Sequence, residues 1–201
     1  MQRLRDRLRE ATATAILEAT EHVLSEEGLH AARIETIAQR AGIAVGTVYN
    51  YYADRDALLK ALIQIRRAEL IVAADRGLEL GQGKPFAKQL NCFLNELLGH
   101  FDAHRAYFAV LLQGELFTSG IRTPAKDTIH ELFARIEKLL KRGLRDKVLR
   151  AQDADIYPAL LFGMIRGALV SRLVRGDTSP MVDIVEPVVR VFMQGAQERS
   201  R

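Results

Sequence analysis

Cysteine is nearly absent from this chain of 201 residues, which contains only Cys92. A single cysteine excludes an internal disulfide and a cysteine-rich zinc site, and it suits a reducing compartment. Long hydrophobic runs are missing too, because the uncharged, apolar stretch at residues 156–165 is shorter than a bilayer-spanning helix requires. The N-terminal residues also lack the apolar core of a secretory signal. We therefore expect a soluble, cytoplasmic protein with no membrane partner.

The chain as a whole has no large excess of charge of one sign. The formal net charge is +4, but residues 1–67 and residues 68–201 each carry only a small positive excess. Local charge is more informative, because four arginines alternate along the first ten residues, opposed there only by Asp6 and Glu10. This pattern predicts either an anion-binding arm or a solvated, partly frayed terminus. The arginines of this basic arm are Arg3, Arg5, Arg7 and Arg9.

Helical periodicity runs nearly from end to end, and no segment has the pattern of a β-hairpin or an internal repeat. We expect an all-α fold of about nine helices. The first ends near Gly28, two short helices follow within residues 33–52, and a long one begins at Arg55 behind the N-cap Asp54. After a loop at residues 81–85, further helices are expected at about 85–103, 105–117, 125–149, 153–175 and 180–197, the last bent at Pro187.

Residues 33–52, RIETIAQRAGIAVGTVYNYY, have the pattern of a helix-turn-helix, in which the second helix lies in the DNA major groove. Two short helices meet at a tight turn that contains Gly42. The second helix carries Thr47, Asn50 and three tyrosines within six residues, more than one buried face can accept. Exposed hydroxyl, amide and aromatic groups suit phosphates, thymine methyl groups and base edges. The alternative is that the tyrosines complete a small core.

Residues of about 10–60 resemble the DNA-binding domain of TetR-family transcriptional regulators. The matching run is Ile37-Ala38-x-x-Ala41-Gly42-Ile43-x-x-Gly46-Thr47-Val48-Tyr49-x-Tyr51-Tyr52, followed by Asp54-Arg55-Asp56-Ala57-Leu58-Leu59. The resemblance implies a homodimer that represses, or less often activates, transcription from a near-palindromic operator in double-stranded DNA. It implies a three-helix, helix-turn-helix DNA-binding domain over residues 1–56 and a larger helical ligand-binding and dimerisation domain over residues 57–201. The residues that it places on DNA are Val45, Gly46, Thr47, Tyr49, Asn50, Tyr51 and Arg55, to which we add Arg33 as a phosphate contact.

Aromatic side chains are concentrated in the second half of the chain. They could line a cavity for a small apolar or amphipathic ligand, as the resemblance implies, or fill a solid core. The spacing of His100 and His104 can hold a metal, but no glutamate adjoins His100 and the only cysteine is distant, so we expect core or pocket histidines. The candidate ligand-binding residues are Phe93, Asn95, Leu97, His100, Phe101, His104, Tyr107, Phe108, Gln113, Phe133, Tyr157, Phe162 and Arg166.

The last two helices are apolar over a wider arc than one buried side can use in a domain of this size. Gly163 and Gly167, four residues apart, would let another helix pack closely. We predict that the two helices form a four-helix dimer interface with a second copy, the alternative being an intrachain core. The candidate interface residues are Leu160, Gly163, Met164, Gly167, Ile184, Val188 and Phe192.

Other function classes find less support in the sequence. The run Gly81-Gln-Gly83-Lys84 only partly matches a phosphate-binding loop, and a linker is the simpler interpretation. The basic residues between Arg135 and Arg150 spread around a helix, which favours a solvated surface over a second nucleic-acid site. No Ser-His-Asp order, acid pair or metal signature indicates an enzyme, so we expect no catalytic residues, cofactor or metal. A helical adaptor that binds protein remains the third hypothesis.

Overall fold

The computed structural model describes residues 2–105, 107–108 and 125–196. Within these residues the chain forms eight α-helices and no β-strand, which confirms the all-α prediction. Three short 3-10 helices lie between them, at Leu29–Ala31, Ala151–Asp153 and Met181–Ile184. The predicted helix at 105–117 falls mostly outside the described residues. The helices are α1 (Gln2–Glu27), α2 (Ile34–Ala41), α3 (Val45–Tyr49), α4 (Arg55–Leu80), α5 (Phe86–Ala103), α6 (Ala125–Arg145), α7 (Tyr157–Val174) and α8 (Val185–Ala196).

The chain divides into two compact units. Of the described residues, the first contains 2–66, 104–105 and 107–108, and the second contains 67–103 and 125–196. These units divide α4 after Arg66. Leu58, Leu59 and Leu62 in the first turns of α4 are at most 1% exposed and belong to the first unit.

The first unit is organised around α1, which packs against α2, while α2 packs against α3. The buried face of α1 includes Ile16 and Val23, and the facing helices contribute Ile37 and Val48, all fully buried. Gly28 follows the end of α1 at φ 78° and ψ 178°, a positive φ that glycine adopts readily but not the left-handed helical conformation predicted for it. The apolar residues of α1, α2 and α3 therefore lie on the faces along which these helices pack.

In the second unit, α5 packs against α6 and α8, and α7 packs against both α6 and α8. A Cβ atom on Gly77 of α4 would lie only 2.6 Å from the Cα atom of Phe93, so this glycine permits the close approach of α4 and α5. Arg135 on α6 pairs with Asp75 through Nη2 and Oδ2 at 2.9 Å. Arg142 donates from Nη1 to the Leu78 carbonyl at 3.0 Å. These two members of the basic run therefore tether α6 to α4 rather than being simply solvated.

Two predicted helix limits differ from the observed ones. The helix expected to reach residue 149 ends at Arg145, and Lys147 adopts a left-handed φ of 55° just beyond it. The last predicted helix is divided into a 3-10 helix and α8, and Pro187 lies in the first turn of α8. Proline is tolerated there because the first amides of a helix have no intrahelical acceptor. The interruption thus precedes Pro187 instead of lying at it.

Among the described residues, α7 is the one helix long and apolar enough, by length and composition alone, to cross a membrane. Our expectation from uncharged runs did not allow for a helix in which Arg166 and Arg172 interrupt the apolar residues. A single helix of this kind is weak support for a membrane span, since core helices pass the same test. Four of its 18 residues are buried, eight are half-buried, and the exposed ones include Leu160, Gly163 and Gly167.

Candidate functional site

The turn between α2 and α3 is fixed by the backbone. Gly42 adopts φ 67° and ψ 29°, a left-handed conformation that glycine reaches without strain. The Ile43 amide donates to the Ala38 carbonyl at 3.0 Å, and the Gly42 amide donates to the Gln39 carbonyl at 3.2 Å. This pair of hydrogen bonds is a Schellman motif, which ends α2 abruptly. The turn consequently sets where α3 begins, at Val45.

Helix α3 is held by a single buried side chain. Val48 has no exposed surface and lies in the core of the first unit. Tyr49, the next residue, is 49% exposed. Every residue that we predicted to contact DNA is at least partly open to solvent. Gly46, Tyr49, Asn50 and Arg33 are exposed, and Val45, Thr47, Tyr51 and Arg55 are half-buried.

The tyrosines after Val48 have different environments. Tyr52 is half-buried, and burial raises the pKa of its phenol, with the nearby Tyr51 adding to the rise. Tyr51 lies beneath the guanidinium of Arg9, 5.9 Å from the ring centroid. This separation suits a cation–π contact. Of the three tyrosines, Tyr49 presents its ring most openly, so the small-core alternative does not describe it.

Arg55 has a structural role that the sequence did not reveal. Its Nε donates to the Ala32 carbonyl at 2.7 Å, and its Nη2 donates to the Leu29 carbonyl at 2.6 Å. The side chain therefore ties the start of α4 to the connection between α1 and α2. Asp54 caps α4 as predicted, its Oδ1 accepting from the Ala57 amide at 2.7 Å. A phosphate contact by Arg55 remains a prediction that must use its remaining donors.

A second buried polar group in the first unit was also missed. Glu21 on α1 pairs through Oε1 with Nε of Arg66 at 2.5 Å, and its Oε2 lies 3.2 Å from Nδ1 of His104. Tyr107 is buried beside them, and burial raises the pKa of its phenol, with the charge of Glu21 adding to the rise. Only the interruption of an apolar face by Glu21 could have signalled this network, which we call the Glu21 network. It engages His104, which we had assigned to a ligand site.

The remaining candidate ligand residues do not gather in one place. Phe93, Leu97, Tyr107, Phe108 and Tyr157 are buried, and the Tyr157 hydroxyl donates to the Ala196 carbonyl at 3.2 Å. The exposed Asn95 donates its amide to the Asn91 carbonyl. His100 and Phe101 are half-buried near the end of α5, Arg166 is exposed on α7, and Gln113 lies outside the described residues.

Two of these residues, on different helices of the second unit, are brought together. The rings of Phe133 on α6 and Phe162 on α7 have centroids 4.9 Å apart, and both side chains are half-buried. Arg166 lies one turn beyond Phe162 on the same helix. An aromatic pair with an exposed cation beside it could accept the apolar and anionic parts of an amphipathic molecule.

The predicted interface residues divide between surface and core. Leu160 is 47% exposed, Gly163 and Gly167 are exposed, and Met164 is half-buried. Ile184, Val188 and Phe192 are instead buried within the chain. Helix α8 is apolar on several sides, and packing against α5 and α7 determines which side is covered. The face left exposed carries Pro187, Val191 and Gly195.

Comparison with known proteins places these features in a family. Residues 16–62 match the family described as bacterial regulatory proteins, tetR family. The HTH-type transcriptional regulator UidR of Escherichia coli K12 is 35% identical over 163 residues, which cover 81% of this chain and 75% of UidR. The nucleoid occlusion factor SlmA of Vibrio vulnificus is 29% identical over 81% of this chain and 83% of its own. The structure of the regulator FadR from Bacillus subtilis in complex with stearoyl-CoA superposes with a TM-score of 0.73 at 20% identity, covering 90% of this chain and 98% of FadR.

Proposed function

The chain belongs to the TetR family of bacterial transcriptional regulators, and from this premise we propose that it is a homodimeric repressor which a small molecule releases from its operator. The observation that carries the proposal is the arrangement of α3. Val48 alone anchors this helix, and the adjoining polar and aromatic side chains are open to solvent behind a rigid turn. An exposed surface of this composition suits the major groove.

Each protomer would place one α3 in the major groove of a half-site. Tyr49, Asn50 and Thr47 offer a ring, an amide and a hydroxyl to base edges, thymine methyl groups and phosphates. Gly46, which has open space around its missing Cβ, allows close approach to the groove. Arg33 at the N-cap of α2 adds an exposed cation for a phosphate. Two such surfaces must lie about 34–36 Å apart to read successive major grooves.

The second copy would cover the exposed face of α7. Ile156, Leu160, Gly163, Gly167 and Val174 recur at spacings of three, four and seven residues, which places them on one side of the helix. Three of them are large apolar residues that are 47–79% exposed in the single chain. Because two-fold dimers use the same patch twice, this stripe would pack against its own copy. On α8 the exposed Val191 extends the patch.

The ligand that we propose is amphipathic, with a long apolar part and an anionic head. FadR of Bacillus subtilis, which shares this fold, binds stearoyl-CoA. In the present chain Phe133 and Phe162 offer a half-buried aromatic surface, and Arg166 offers a cation next to it. Release from DNA requires that the ligand bind the two states of the dimer unequally, with a coupling of about 1–3 kcal/mol in ordinary cases.

The test is selection of genomic DNA fragments by the purified full-length protein at about physiological salt, since low salt inflates non-specific binding. We expect a near-palindromic motif. Tyr49→Ala should weaken its binding about 10- to 100-fold, as expected for a lost base contact, while Gln64→Ala, an exposed site on α4, should not. Stearoyl-CoA should then release the operator. Recovery of no motif above background, or equal binding by Tyr49→Ala, would contradict the proposal.

A second candidate follows from the similarity to SlmA, a nucleoid occlusion factor. For this chain it would use the same proposed DNA binding, and the two candidates predict different distributions of sites. Many motif copies scattered along the chromosome would favour a role in nucleoid occlusion. One or a few copies beside promoters would favour the repressor.

A further inference from the structure

The basic arm is the start of a long helix rather than a separate tail. Helix α1 runs without interruption from Gln2 to Glu27, and its first fully buried residue is Ile16. Residues 3–11 are all exposed. About three turns of α1 therefore extend beyond the part that packs in the first unit, and they carry all four arginines of the arm.

The helix divides these arginines between two faces. Residues four apart lie on the same side of a helix, and residues two apart lie on nearly opposite sides. Arg5 and Arg9 consequently share one face, and Arg3 and Arg7 share the other. The Arg9 guanidinium lies over the Tyr51 ring, 5.9 Å from its centroid. The face of Arg5 and Arg9 is therefore the one adjoining the residues that follow α3.

The charges on this face are not neutralised within the chain. Among the described residues, no carboxylate lies within ion-pair distance of Arg5 or Arg9, whereas Arg40 pairs with Glu26 and Arg66 with Glu21. A guanidinium without a carboxylate partner is suited to bind phosphate through paired hydrogen bonds. The contact with Tyr51 orients Arg9 in advance, which reduces the conformational entropy lost on binding.

We propose that Arg5 and Arg9 form a second DNA contact, extending the surface of α3 onto the phosphates that flank each half-site. The inference rests on the proposed DNA binding by α3 and adds a separate element to it. Phosphates carry no base identity, so these arginines contribute affinity and salt dependence without changing the sequence that is read. Continuity with the α3 surface through Tyr51 favours DNA over another anionic partner.

The experiment compares two double variants of the full-length protein that remove equal charge. Arg5→Gln with Arg9→Gln removes the face beside Tyr51, and Arg3→Gln with Arg7→Gln removes the other face. Binding is measured by fluorescence anisotropy between about 50 and 200 mM salt, on the recovered operator duplex and on a scrambled duplex of equal length. Circular dichroism and thermal unfolding confirm that both variants remain folded.

For the first variant we expect the slope of log affinity against log salt to become shallower by about 0.9 per lost phosphate contact, hence by about 2 for each protomer. Its preference for operator over scrambled DNA should be unchanged, and the second variant should keep nearly the wild-type slope. Equal slopes for the two variants, or a lost operator preference in the first, would overturn the proposal. Failure of α3 binding gives a different result, namely wild-type protein that does not distinguish the two duplexes.

Discussion

Helices α3 and α7 both leave one side uncovered, but the two surfaces have opposite chemistry. Helix α3 exposes Tyr49 and Asn50, whereas α7 exposes Leu160, Gly163 and Gly167. Polar and aromatic groups remain stable in water and can exchange it for DNA. A broad apolar stripe is costly to leave in water and indicates a protein partner. Surface composition therefore separates the two proposed interfaces before any partner is seen.

The largest expected effect is on the stability of the first unit, which contains α3. Glu21→Gln removes the charge facing Arg66 in a nearly buried pair, and such losses are strongly destabilising. We expect the free energy of unfolding to fall by about 3 kcal/mol, measured by urea denaturation. Glu18→Gln, at an exposed site on the same helix, is the matched control and should change little. Equal stabilities of the two variants would show that the Glu21 network does not support the fold.

The proposed packing of α7 against a second copy is tested by replacing a glycine on its exposed face with a larger residue. A Cβ atom on Gly163 meets nothing within 4 Å in the single chain, so Gly163→Leu should preserve the fold, and leucine favours helix more than glycine does. Across a close two-fold contact the same side chain should clash and weaken the dimer about 100-fold, by analogy with overpacked cores. Sedimentation equilibrium measures the change.

Gly99→Leu on α5 is the control for this substitution, because its missing Cβ also faces open space and α5 is not part of the proposed interface. It should leave the dimer unchanged. An unaltered dimer in Gly163→Leu would rule out close packing of α7 against its copy.

A smaller effect is expected at the start of α4. Arg55→Lys keeps the charge but cannot reproduce the two hydrogen bonds to the Leu29 and Ala32 carbonyls. We expect a loss of about 1–2 kcal/mol in unfolding free energy, with Arg33→Lys, which makes no side-chain cap bond, as the control. If Arg55→Lys weakens DNA binding and leaves stability intact, the residue acts on phosphate alone.

The smallest effect is a pH dependence. Because burial raises the pKa of Tyr107, the unfolded chain loses this phenolic proton above about pH 10 while the folded chain keeps it. The unfolded state then binds fewer protons, so stability falls as pH rises. Between pH 10 and 11 the wild type should lose up to about 1.4 kcal/mol more than Tyr107→Phe. Parallel stability curves would contradict the burial of this phenol.

Local chemistry explains which parts were predictable from the sequence. Gly42 and Asp54 act on neighbouring residues, so the turn and the cap could be assigned from order alone. The Arg55 and Glu21 bonds join residues far apart in the chain, and no local pattern encodes them. Helix α8 is apolar on several sides, so periodicity could not decide that Val188 is buried and Val191 exposed. Packing against α5 and α7 determines which side of α8 is buried.

The central claim is that a dimer presents two α3 helices to half-sites on one face of DNA. Its most direct test is binding to the recovered operator after insertion of five base pairs between the half-sites, about half a helical turn. The account predicts that the insertion places one half-site on the opposite face and reduces affinity to the non-specific level. Undiminished binding to the extended operator would contradict the account, because it would mean that each α3 reads DNA independently.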